Sequence, residues 1–121
     1  MKNCLRFTLL LFTLALLLMV THVPNLRAAD KSPVIEITAK RFEFSPARIT
    51  LKKGETVILR LHSEDVTHGF FSRPLKLDEE IPAGKTMDFT ITPMTAGSFT
   101  TICDHFCGVG HGGMNMTIVV E

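Results

Sequence analysis

Residues Ala47–Ser63 read ARITLKKGETVILRLHS. Apolar and polar side chains alternate on both sides of a Lys-Lys-Gly-Glu turn. A period of two is the spacing of a half-buried strand, not of a helix. The stretch therefore predicts strands over Ile49–Lys52 and Thr56–His62, with Gly54 in the turn between them.

The same period runs outward in both directions. Upstream, VIEITAKRFEFSP sets Val34 and Glu36 against Ile35 and Ile37, then Phe42 and Phe44 on one side with Glu43 on the other. Downstream, VTHGFFS is an apolar strand. LDEE then reads as a solvated acidic loop, and a Pro-Ala-Gly turn leads into a strand over Thr86–Ile91. AGSFTTIC and MNMTIVVE supply the last two strands. No segment has the 3.6-residue period of an amphipathic helix. Seven or eight short strands with turn signals between them predict an all-β sandwich, whose loops gather at its two ends.

The chain has 121 residues, enough for one ordinary domain. Its first residues are of a different kind. Lys2 and Arg6 precede an uncharged run over Phe7–Val20, only 14 residues long. A membrane-spanning helix needs about 20. Length thus favours a cleaved signal peptide over a retained single anchor for residues 1–29, although cutting after Ala28 leaves Leu26, and cutting after Ala29 leaves Arg27, at the third position back. Either form places residues 30–121, the folded domain, outside the cytoplasm: in the periplasm or on the outer face of the cytoplasmic membrane. Without Lys2, Arg6 and Arg27, 10 of the 13 basic residues stand against 12 acidic ones, a formal charge of −2. That offers no basic field for nucleic acid. With no Trp and no Tyr, phenylalanine must supply the aromatic packing.

Chemistry concentrates in CDHFCGVGHGGM, Cys103–Met114, the connection between the last two strands. In 12 residues it holds both cysteines outside the leader, two histidines, a methionine and four glycines. A disulfide is the ordinary fate of two exported cysteines. Closing so short a loop would constrain the unfolded chain little, however. Thiolate and thioether are soft donors and imidazole is intermediate, a set that selects copper over magnesium or calcium. The glycines let such a loop turn tightly. His68 in EDVTHGFF is the candidate ligand from a second strand. One Cys, two His and a Met complete a mononuclear blue-copper site, and this sequence has a second Cys besides. Two thiolates from one loop can bridge two coppers, each with one imidazole. Met114 and a backbone carbonyl between the cysteines remain as weaker ligands.

RFEFSP, EDVTHGF, CDHFCGVGHGGM and the closing TIVVE occur in this order between Ile35 and Glu121. Over that span the chain resembles the copper A (CuA) domain of cytochrome c oxidase subunit II, and most of all the compact form of ba-type oxidases. The resemblance implies a cupredoxin Greek-key sandwich carrying two copper ions. It implies Cys103 and Cys107 as bridging thiolates, His68 and Met114 on one copper, and His111 and the His105 carbonyl on the other. It further implies one-electron transfer from a donor such as cytochrome c to a terminal oxidase or reductase, with oxidase subunit I as a partner and no catalysis by this chain alone. Many members have Glu where this chain has His105, so the magnesium ion bound there in those members is not expected. The tryptophan patch of many members is absent, leaving Phe42, Phe44 or Phe106 to border the site. Two other functions compete. Copper delivery favours open, exchangeable sites, and a structural zinc site of His68, Cys103, Cys107 and His111 leaves Met114 without a role.

Outside that set, Met116 is expected in the strand core, and Met87 and Met94 in the core or on the surface. His62 is expected to make a surface hydrogen bond. Asp65 should organise the turn before His68 by Asx hydrogen bonding. The His105 side chain is expected to be exposed near the site.

Overall fold

The computed structural model describes residues 31–121. The expected leader, residues 1–29, lies outside the described residues. The described residues form nine strands in two sheets. The strands are β1 (Val34–Lys40), β2 (Glu43–Ser45), β3 (Arg48–Leu51), β4 (Val57–Ser63), β5 (His68–Ser72), β6 (Leu77–Ile81), β7 (Thr86–Ile91), β8 (Gly97–Ile102) and β9 (Asn115–Val120). One sheet has the order β2-β1-β4-β7, the other β3-β9-β8-β5-β6. The β1–β4 and β3–β9 pairs are parallel; the remaining pairs are antiparallel. Parallel neighbours so far apart in sequence require the chain to cross between sheets, and these crossings make the sandwich a Greek key.

The alternation read from Ala47–Ser63 is what fills the core. In β4, Val57, Leu59, Leu61 and Ser63 are buried while the residues between them are half-exposed. Ile37 and Ala39 of β1, and Met116, Ile118 and Val120 of β9, do the same from their own strands. Phe44 and Phe70 meet edge to face across the sandwich, ring centroids 5.4 Å apart at 85°. An edge-to-face pair of this kind adds about 0.5–1.5 kcal/mol beyond area burial. Met116 is core as expected, whereas Met87 and Met94 are exposed.

Two expectations are corrected. LDEE is not a loop: Leu77–Ile81 is strand β6, paired with β5 from His68↔Ile81 to Ser72↔Leu77. Leu77 and Ile81 point into the core, while Asp78 and Glu80 face outward. The acidic run reads as loop because Asp and Glu are poor strand formers, yet β6 is an edge strand, where charges are tolerated and discourage pairing with another chain. Phe42 and Phe44 do not share a side either. The chain reverses at Arg41–Phe42 between β1 and β2, so Phe44 enters the core and Phe42 remains 40% exposed.

Candidate metal centre

The β8–β9 connection closes one end of the sandwich. Two more connections come to that end: the β1–β2 turn with Arg41 and Phe42, and the β4–β5 crossing with Asp65. The loop is anchored at its neck, where Cys103 N–H donates to the Met114 carbonyl at 3.0 Å. Beyond the neck a 3-10 turn over His111–Gly113 brings the chain back to β9. Gly108 has φ +139°, a backbone conformation that other residues rarely adopt.

Cys103 and Cys107 are buried and unpaired, with their sulfurs 3.7 Å apart. This excludes the disulfide reading for the form described, since a bonded pair sits near 2.05 Å. An imidazole flanks each sulfur. His68 Nδ1 lies 3.8 Å from Cys103 Sγ, and His111 Nδ1 lies 3.9 Å from Cys107 Sγ. Met114 Sδ lies 3.8 Å from Cys107 Sγ, and the His105 carbonyl 3.2 Å from Cys103 Sγ. All six residues singled out from the sequence thus meet at one place. His68, Cys103 and Cys107 hold their donor atoms within 4.8 Å of one another. His111 falls outside that mutual trio and reaches it through Cys107.

The surroundings prepare these donors. Burial pushes the Cys103 thiol up to about 11, helped by its neighbour Cys107, although the Gly69 amide hydrogen bond works the other way. Metal-free Cys103 therefore keeps its proton at neutral pH, and a metal must displace it on entering. His68 is wholly buried, and its Nε2 is 2.7 Å from Asp65 Oδ1. A carboxylate on that nitrogen leaves Nδ1 free to face the sulfurs. Burial of Asp65 opposes its ionisation, but bonds from Arg41 N–H, His68 and Val66 N–H outweigh this and hold the carboxyl at about 2. Asp65 does bond the local main chain as expected, but through the adjacent Val66 N–H at 2.7 Å rather than two residues on as in an Asx turn; the bond to His68 is a further role.

The sequence reading missed two residues. Arg41 donates from Nε to the Cys107 carbonyl at 2.7 Å and from its amide to Asp65 Oδ2 at 2.8 Å. As one of 13 basic residues it carries no local signal. Gly69 packs directly beneath the loop. A Cβ there would overlap the Asp104 carboxylate and sit 2.7 and 2.9 Å from the amides of His105 and Asp104. Its place beside His68 was the available clue. Phe42 was expected to border the site; its ring covers Gly108 and Gly110, where an added Cβ would approach it to 2.9 and 2.5 Å. Phe106 is 74% exposed and leans against His111, centroids 5.9 Å apart. Phe44 belongs to the core instead. The His105 side chain is exposed, 3.6 Å from Glu80, and His62 hydrogen-bonds Thr86 across β4 and β7 at 2.9 Å.

Residues 9–120 match the cupredoxin-like domain family, and the chain belongs to it. Its curated relatives include cytochrome c oxidase subunit 2 of Thermus thermophilus, 30% identical over 87 residues, an alignment covering 72% of this chain. The chain spans 64% of that relative's length. Among solved structures it is similar to the periplasmic domain of subunit II of cytochrome oxidase from Bradyrhizobium japonicum, with a TM-score of 0.67 at 16% identity, covering 75% of this chain and 86% of that one. A chain of a heme–copper terminal oxidase dimer gives a TM-score of 0.66 at 22% identity over 99% of this chain and 98% of its own. Identities this low speak for the fold alone. The expected all-β cupredoxin sandwich and the kinship with oxidase subunit II are both borne out.

Proposed function

We propose that this chain is an extracytoplasmic copper protein that relays single electrons through a dinuclear CuA centre. One observation carries the reading: two buried free thiols 3.7 Å apart, with an imidazole beside each. The donors suit the metal. Two soft sulfurs, a thioether and two imidazoles match copper, and no carboxylate stands among them to favour a hard cation. Cys103 and Cys107 would hold both ions, with His68 and Met114 as the further ligands of one and His111 and the His105 carbonyl as those of the other. Bound copper supplies a one-electron couple at potentials within reach of biological donors.

The chain's own residues do the rest. Strand β5 and the necked loop hold the ligands with little freedom to move, so little structural change accompanies a change of charge. Asp65 fixes the His68 ring, and Phe42 shields the glycine-rich loop. Kinship with oxidase subunit II supports a terminal oxidase as acceptor and a small redox protein such as cytochrome c as donor.

Copper delivery fits less well, because the sulfurs, His68 and Met114 are all buried. Structural zinc leaves the thioether beside Cys107 unused. Electron paramagnetic resonance of the copper-loaded chain tests the proposal. We expect two coppers per chain and hyperfine structure from one unpaired electron shared by two copper nuclei. A single copper per fully reduced chain overturns it. Met114→Leu should keep both ions and shift the potential, whereas a delivery protein would lose copper capture.

A further inference from the structure

The metal ligands all lie on one sheet, at the start of β5 and between β8 and β9. Nothing in that sheet's own pairing fixes the outer half of the loop: the β8–β9 register ends at Ile102↔Asn115. The other sheet supplies the missing hold through its β1–β2 turn.

We propose that Arg41 is a positioning residue that clamps the Cys107–His111 half of the centre in register with His68. The inference rests on the copper reading only for its metal-loaded measurements. Arg41 makes two bonds in two directions. Its backbone N–H donates to Asp65 Oδ2 at 2.8 Å, while Asp65 Oδ1 accepts from His68 Nε2 at 2.7 Å. Its Nε–H donates to the Cys107 carbonyl at 2.7 Å. One residue thereby ties the carboxylate that orients His68 to the main chain carrying the second thiol. These are bonds between an ionised group and its partner, which are shorter and stronger than neutral ones.

The adjacent Phe42 completes the hold from the apolar side. Its ring lies where a side chain at Gly108 or Gly110 would be. Together the two residues grip the loop between Cys107 and His111, a guanidinium on its carbonyl edge and a ring on its glycines. The main chain from Cys107 to Gly110 can then shift only if the Arg41 bond breaks or Phe42 moves.

Full-length R41M, which keeps much of the apolar stem but has no donor, tests the clamp. In the metal-free chain we expect amide exchange at His111, Gly113 and Met114, the bonded amides of the loop, to rise about tenfold. In the copper-loaded chain we expect loss of copper to an excess of chelator to quicken about tenfold, the scale on which deleting a partner of a metal ligand acts, and the potential to shift. R41K, which retains one donor, should restore part of each effect. Loop exchange, copper release and potential all equal to wild type overturn the proposal. If R41M does not fold, wild-type protein decides: a protected Arg41 Nε–H with scalar coupling to the Cys107 carbonyl upholds the clamp, and a freely exchanging Nε–H overturns it. Both the exchange and the Nε–H measurements need no metal. A chain that binds one copper therefore fails the dinuclear reading without deciding the clamp.

Discussion

The two imidazoles of the centre sit in opposite surroundings. His68 is wholly buried at the start of a strand, with a carboxylate on its far nitrogen. His111 is half-exposed on a short 3-10 turn, beside the exposed Phe106 and near Val109, which is fully exposed. One end is held by the sandwich and the other by a loop that needs outside help. The difference assigns distinct tasks within the proposed function. The His68 end sets geometry and insulation, and the His111 end brings the centre close to the surface, where a redox partner can approach. It also locates the weak point: disturbance should begin at the loop end and spread inward.

Breaking the bridge should have the largest effect. In the proposed centre Cys107→Ser removes the sulfur shared by both halves, and serine offers a hard, weakly acidic oxygen in its place. We expect at most one copper per chain and loss of the two-nucleus hyperfine pattern, read by metal analysis and electron paramagnetic resonance. Retention of two coppers would show that the halves do not depend on that thiolate.

Gly69→Ala attacks the contact between strand and loop. The new Cβ would press on the amides of Asp104 and His105. Overpacking of this kind costs about 1–3 kcal/mol. We expect that loss in denaturant unfolding of the metal-free chain, together with weaker copper retention. An unchanged midpoint would mean that the loop rides freely over β5 and that the two ends are less different than they look.

Acid should act more gently, and at the His68 end. The Asp65 carboxyl falls from its ordinary 3.8 to about 2 on folding. A depressed carboxylate contributes stability above its unfolded value and loses it as pH falls through the folded one. Asp65 should therefore contribute in full above pH 3.8, and its contribution should fade toward about 2. Unfolding of the metal-free chain between these limits should show the slope, and Asp65→Asn should flatten it. An equal slope in the variant would place the acid sensitivity elsewhere.

Much of the architecture was legible in the sequence. Strands show themselves through alternation, and β4 and β7 fell within a residue or so of their expected limits. β6 was missed because its inward residues, Leu77 and Ile81, are separated by three acidic or half-exposed positions that only an edge strand accommodates. The pairing of Phe42 with Phe44 failed because the chain reverses just after Arg41, so a period of two does not run through the turn. The candidate ligands could be picked out for a simpler reason. Five of the six lie within 12 residues of chain, in a segment whose four glycines let it turn back on itself.

By itself, then, the sequence determined the strand period, the donor chemistry and the loop that carries most of it, because these depend on neighbours along the chain. Tertiary structure alone decided how the centre is held. Asp65 and Arg41 are 24 residues apart, Arg41 and Cys107 are 66 apart, and Gly69 meets a loop more than 30 residues away. No local pattern encodes such contacts. They exist because two sheets pack face to face and bring a turn from each to the same end.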